Sequence, residues 1–139
     1  MPEKINSPRN KLTRRELQDL DLEILFLEGV VRRDPAYIEA LQILGDNYTR
    51  RGHYTEGLKI DERLSRLRPG DAIVQYNLAC SYSLTRQLEL ALEALHAAIN
   101  LGYCDFKAMD KDPDLDNVRQ HAGYKQIRAK IRGLQPKTP

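Results

Sequence analysis

Apolar residues recur along this chain at intervals of three and four, and nowhere do they alternate with polar ones over the length of a strand. The pattern predicts an all-α protein. Thr13 with Glu16 three residues on has the spacing of a capping box. In the helix it opens, Leu17, Leu20, Ile24, Leu27 and Val30 or Val31 fall on one face. Asp34-Pro35 stops that helix. A second is predicted from about Ala36 to Arg51, closed by Gly52 as a left-handed cap. A third runs from near Tyr54 to just before Pro69-Gly70. A fourth extends from an Asp71 cap to about Thr85, and a fifth from about Leu88 to Leu101, where Gly102 ends it.

Gly45 lies inside the second of these helices, where glycine costs roughly 1 kcal/mol relative to alanine. A second copy of the pattern accounts for it. Shifted by thirty-four residues, Leu44 falls on Leu78, Tyr48 on Tyr82, Leu58 on Leu92 and Leu67 on Leu101. Gly45 falls on Ala79, Gly57 on Ala91 and Pro35 on Pro69. Small residues meet small ones, as they must where two helices close on each other. The same shift sets Leu20, Ile24 and Val30 on Tyr54, Leu58 and Leu64, so the first helix reads as the second half of an earlier, degenerate unit.

The order Leu41-x-x-Leu44-Gly45-x-x-Tyr48, Gly57, Pro69 resembles the tetratricopeptide repeat, a unit of two antiparallel helices. Departures are plain: Leu41 replaces the usual Trp, and Asp61 stands where an aromatic is usual. Gln75, Ala79 and Tyr103 occupy the Trp, Gly and Pro positions of the next copy. The resemblance covers about residues 20–103 and implies a right-handed helical-repeat solenoid of antiparallel helix pairs. Residues 102–127, GYCDFKAMDKDPDLDNVRQHAGYKQI, resemble the element that closes bacterial arrays of this family. Without the family, Asp112 as cap and Pro113 at the first helical position start a short helix burying Leu115 and Val118, and Tyr124, Ile127 and Ile131 stripe a last helix. The expected organisation is a basic flexible tail at 1–12, one domain at 13–133 and a flexible tail at 134–139. Within the domain come a degenerate helix at 14–33, repeats at 36–69 and 71–102, and capping helices at 105–133.

Charge is uneven. Residues 1–15 carry five basic residues against Glu3, and 117–139 carry six with no acid, leaving −8 for 16–116 within a total of +2. Basic ends can meet an acidic surface, but the N-terminal tail has no aromatic and the C-terminal segment only Tyr124, which disfavours nucleic acid. Cys80 and Cys104 form neither a CxxC pair nor a disulfide framework, which fits a reducing compartment. The stretch MPEKINSPRNKLTRREL lacks the apolar run of a signal peptide, and no segment reaches the length of a membrane span. The expected location is the cytoplasm.

Candidate catalytic residues lack company. His53, His96 and His121 have no second His or Cys at metal-ligand spacing. The run from Asp110 to Asp116 is laid out like a calcium loop, but Leu115 replaces the turn glycine and His121 the closing Glu. There is no phosphate loop and no serine nucleophile in a strand-turn-helix setting. The expectation is no catalysis, no cofactor and no metal.

In the resembling family the first helix of each unit lines the concave face where partners lie. Carried onto this chain, that implies Glu39, Gln42, Asp46, Thr49 and Arg50 from one unit and Ile73, Tyr76, Asn77, Cys80, Ser83 and Leu84 from the next. Ile73, Tyr76, Cys80 and Leu84 form an apolar stripe suited to an extended or helical peptide. The other reading is that Ile73 and Leu84 pack on the preceding repeat or on the cap. A carboxylate clamp is disfavoured, because Gln42 and Asp46 stand where Lys and Asn are needed. The functional expectation is a non-catalytic adaptor binding a protein or peptide partner through Gln42, Asp46, Thr49, Arg50, Ile73, Tyr76, Asn77 and Cys80. The alternative is a nucleic-acid or acidic-surface tether acting through the basic ends. A third reading is self-association through the Leu17–Val31 helix.

Overall fold

The computed structural model describes residues 11–135, so the N-terminal tail up to residue 10 and the last four residues lie outside the described residues. The described part is helical, with no strand among the described residues. In chain order come α1 (Arg14–Arg33), α2 (Ile38–Arg51), α3 (Tyr54–Leu67), α4 (Ala72–Leu84) and α5 (Leu88–Asn100). They are followed by α6 (Phe106–Lys111), a 3-10 turn (Pro113–Leu115), α7 (Asp116–Arg119) and α8 (Tyr124–Leu134). Contacts divide the chain into two compact units, one ending at Pro69 and one beginning at Gly70.

The first unit holds α1, α2 and α3. Thr13 and Glu16 form the capping box reciprocally: the Glu16 N–H donates to Thr13 Oγ1 at 3.1 Å and the Thr13 N–H to Glu16 Oε1 at 2.9 Å. The backbone bond from Thr13 holds the Glu16 carboxyl below the usual carboxylate range. Leu20, Ile24, Leu27 and Val31 are buried, so of the two valines it is Val31 that turns inward. α2 begins two residues later than its periodicity suggests. The Tyr37 N–H donates to the Asp34 carbonyl at 3.2 Å, and that turn uses Pro35 and Ala36 before the helix can start. Polar ties also join α1 to α2: Asn47 Nδ2 donates to Glu23 Oε1 at 2.8 Å, the Tyr48 hydroxyl donates to Glu28, and Arg51 pairs with Asp21 at 2.6 Å.

Gly45 is where α3 closes on α2. A Cβ there would meet Ile60 Cγ2 at 3.1 Å and Asp61 Oδ1 at 3.3 Å, and one on Gly57 would meet Thr49 Oγ1 at 3.2 Å. Leu41, Leu44 and Tyr48 on α2 and Leu58, Ile60 and Leu64 on α3 fill the space around this contact. α2 then ends in a left-handed cap: Gly52 has φ 88°, its N–H reaches the Thr49 carbonyl, and the His53 N–H reaches the Tyr48 carbonyl.

The second unit repeats the device thirty-four residues later with different side chains. Asp71 caps α4 by accepting from the Ile73 and Val74 N–H groups at 2.9 and 3.2 Å. Ala79 and Ala91, at the positions of Gly45 and Gly57, have no exposed surface, and Ala94, Leu95, Ala98 and Ile99 complete the α5 side. The cap repeats bond for bond, from Arg86 to Ser83 and from Gln87 to Tyr82, but Arg86 is forced to φ 62° where the first unit has glycine. Beyond Gly102, Asp105 caps α6 and Asp112 caps the 3-10 turn, whose i+3 bond from the Leu115 N–H to the Asp112 carbonyl separates it from α7. Leu115, Val118, Tyr124 and Ile127 are buried, with Ile131 at the edge of the same stripe.

Two substitutions test this packing. Gly45→Val forces branched carbons into Ile60 and is expected to destabilise by on the order of 2 kcal/mol. Arg86→Gly relieves the left-handed strain and is expected to stabilise by about 1 kcal/mol. Urea unfolding midpoints at unchanged m-value read both effects.

Candidate functional site

On α2 the helical spacing separates two kinds of residue. Leu41, Leu44, Gly45, Asn47 and Tyr48 are consumed by contacts to α1 and α3, leaving Gln42, Asp46 and Arg50 exposed with Thr49 half-buried at the edge. Thr49 is held by its hydroxyl, which donates to the Gly45 carbonyl at 3.1 Å. Ile43, also exposed, adds an apolar side chain that the periodicity left unassigned. An amide, a carboxylate, a guanidinium and one isoleucine can grip a polypeptide by hydrogen bonds and a small apolar contact.

On α4 the outcome differs. Ile73 and Asn77 are exposed, but Tyr76 and Cys80, expected to face a partner, are buried. The chain's own C-terminal segment covers them. The Tyr76 hydroxyl donates to Asp112 Oδ2 at 2.6 Å, the Cys80 thiol lies 3.8 Å from the same oxygen, and the Tyr76 ring stacks on Tyr103 with centroids 4.3 Å apart and planes 3° off parallel. Burial, then Cys80 and the Asp112 carboxylate, push the Tyr76 hydroxyl far above the usual tyrosine range. Ser83 goes the same way: its Oγ accepts from the Val118 N–H at 3.1 Å, and its carbonyl accepts from Asn117 Nδ2 at 3.0 Å. Tyr76, Cys80 and Ser83 therefore serve packing within the second unit.

Two residues organise that cover, and neither stands among the residues expected to bind. Asp112 accepts from Tyr76, Cys80 and the Asp114 N–H at once. Arg119 donates to the Met109 and Asp112 carbonyls at 2.7 and 2.5 Å and to Asp116 at 2.6 Å, tying α6, the 3-10 turn and α7 together. A signal existed for Tyr103: it replaces the proline that the thirty-four-residue register requires, and the ring is what α4 stacks on.

Cys80, Asp112 and Asp114 each bring one donor atom within 4.8 Å of the others, the grouping among the described residues with metal-ligand character. Its central carboxylate is already engaged by the bonds just described, which account for the cluster as a buried hydrogen-bond hub. The histidines do not converge: His53 precedes α3 with no side-chain bond to its first turn, His96 sits on α5, and His121 accepts from the Gly123 N–H while its Nε2 lies 3.5 Å from Glu89.

Tyr76→Phe keeps the stack and removes the bond to Asp112, so stability is expected to fall by about 2 kcal/mol. The pH dependence has a definite sign. A tyrosine harder to ionise folded than unfolded contributes fully below its unfolded pKa near 10, and that contribution is lost as pH rises above it. The unfolding midpoint of the intact chain is therefore expected to drop as pH rises above about 10, and to drop less in Tyr76→Phe.

No family model matches the chain. Over 83 residues it is 38% identical to a protein of Arabidopsis thaliana whose name places it in the chloroplast, a stretch amounting to 58% of this chain and 25% of that one, so the chain spans about a quarter of that relative's length. Its structure is similar to that of MamA, residues 41 to the end, from Desulfovibrio magneticus RS-1. The TM-score is 0.59 at 21% identity, covering 88% of this chain and 72% of that one. That likeness concerns the fold, a tetratricopeptide-like arrangement of antiparallel helix pairs.

Proposed function

We propose that this chain is a non-catalytic adaptor of tetratricopeptide type whose α2 surface holds a segment of a partner protein. The observation that carries this reading is the stripe Gln42, Asp46 and Arg50, exposed on a helix whose every other face is committed to packing. Thr49 and Ile43 border it, and on the second unit Ile73 and Asn77 supply a smaller open patch on α4. Tyr76 and Cys80 leave the contact set and act as scaffold. The scattered histidines and the engaged Cys80–Asp112–Asp114 hub favour binding over bond-making. The C-terminal segment then acts as the closing element that its sequence resembles. No helix among the described residues is long and apolar enough to cross a membrane. The cytoplasm remains the proposed location, and the chloroplast in the plant relative's name belongs to that protein.

A second reading draws on an open recess of about 240 Å³ lined by Phe106, Lys107, Asp110, Arg128, Ile131, Arg132 and Gln135. Three cations against one acid suit an anionic surface, in keeping with the basic C-terminal segment. Of the other basic residues at the two ends, Lys4, Arg9 and Lys137 lie outside the described residues.

Photo-crosslinking decides between them. A photoreactive side chain placed at Asp46 or Asn77 is expected to label one protein in extract, and the same group at Glu93, exposed on α5, is expected not to. Asp46→Arg should weaken that capture by about tenfold or more. Labelling from Glu93 alone, or from Arg128 alone with strong salt dependence, would reject the α2 surface.

A further inference from the structure

The face of α1 opposite its buried stripe is apolar. Leu22, Leu25 and Phe26 are 66%, 66% and 70% exposed, three large side chains at the spacing of one helical surface. Gly29 lies one turn on along the same stripe, with no atom within 4 Å of where its Cβ would stand. In the first unit, glycines at such places are where a neighbouring helix closes in. Here the seat is empty.

We infer that this face docks against α1 of a second copy of the chain, antiparallel across a two-fold axis. The pattern is symmetric about the midpoint between Leu25 and Phe26. Laid against its own reverse, Leu25 meets Phe26, Leu22 meets Gly29, Gln18 comes level with Arg33, and Asp19 comes level with Arg32. A two-fold contact requires such self-complementarity, and here the apolar stripe and the charges at its ends both satisfy it. Parallel packing would instead bring Arg32 and Arg33 against the same residues of the other copy. Residues 1–10 are a poor alternative cover, since Met1 and Ile5 are their large apolar residues and two prolines interrupt them. The three side chains offer roughly 300 to 400 Å² per copy, well short of the ~800 Å² per partner of a standard stable complex. The dimer is therefore concentration-dependent, with a dissociation constant on the order of micromolar to tens of micromolar.

Sedimentation equilibrium on the full chain from about 1 to about 200 µM tests this. The mass is expected to rise from monomer to dimer, and Phe26→Glu, a change at an exposed site, to raise the dissociation constant about tenfold or more with helical content unchanged. Orientation is read separately in a Cys104→Ser background. Gln18→Cys mixed with Arg33→Cys should form a disulfide-linked pair, whereas neither variant alone should do so. A monomer at every concentration, a dimer indifferent to Phe26→Glu, or self-crosslinking of the single variants would each overturn the antiparallel α1 contact. The photo-crosslinking at Asp46 and Asn77 stands apart from all three outcomes.

Discussion

The architecture depends on how closely two helices of a pair can approach. In the first unit the approach is set at Gly45, where Ile60 sits against a backbone with no side chain in the way, and at Gly57, where Thr49 does the same from the other helix. Removing side chains at two points costs helix propensity, and the cost is offset by the surrounding apolar contact: Leu41, Leu44, Tyr48, Leu58 and Leu64 pack around the close point. The second unit reaches the same end with Ala79 and Ala91, which retain helix propensity and still admit the neighbour. Its facing residue is also smaller, Ala94 in place of Ile60. The small-residue positions are kept across the two units while the identities change.

This constraint explains what could be read from the residues and what could not. Helix ends were legible because their signals are local: the Thr13–Glu16 box, Gly52 at positive φ, and Asp71 over the start of α4 each act within four residues. The start of α2 was displaced by a turn that needs the Asp34 carbonyl, a preference the periodicity does not carry. The exposed stripe of α2 was legible as well, since its other faces are dictated by the repeat. The fate of α4 was not. Tyr76 and Cys80 have the spacing of a free apolar stripe, and it is the carboxylate of Asp112, thirty-six residues from Tyr76, together with the ring of Tyr103 that covers them. Arg119 was equally hidden, because beyond its near neighbour Asp116 its partners are backbone carbonyls whose positions no side-chain pattern records.

The two units thus use their leading helices differently. α2 keeps a polar stripe open, whereas the equivalent side of α4 is filled by the segment from Tyr103 to Val118, leaving Ile73 and Asn77 outside it. Apolar character is the reason for the asymmetry. A helix face carrying Tyr76 and Cys80 gains from being covered, while one carrying Gln42, Asp46 and Arg50 gains little and remains solvated.

Asp112 joins three donors, two on α4 and one in the 3-10 turn, and Arg119 holds the Asp112 carbonyl together with that of Met109 before it. Bonds that share an acceptor are broken together, so the segment from α6 to α7 opens as a single cooperative block rather than fraying residue by residue. In its open form that block would uncover Tyr76, Cys80 and Ser83 at one stroke.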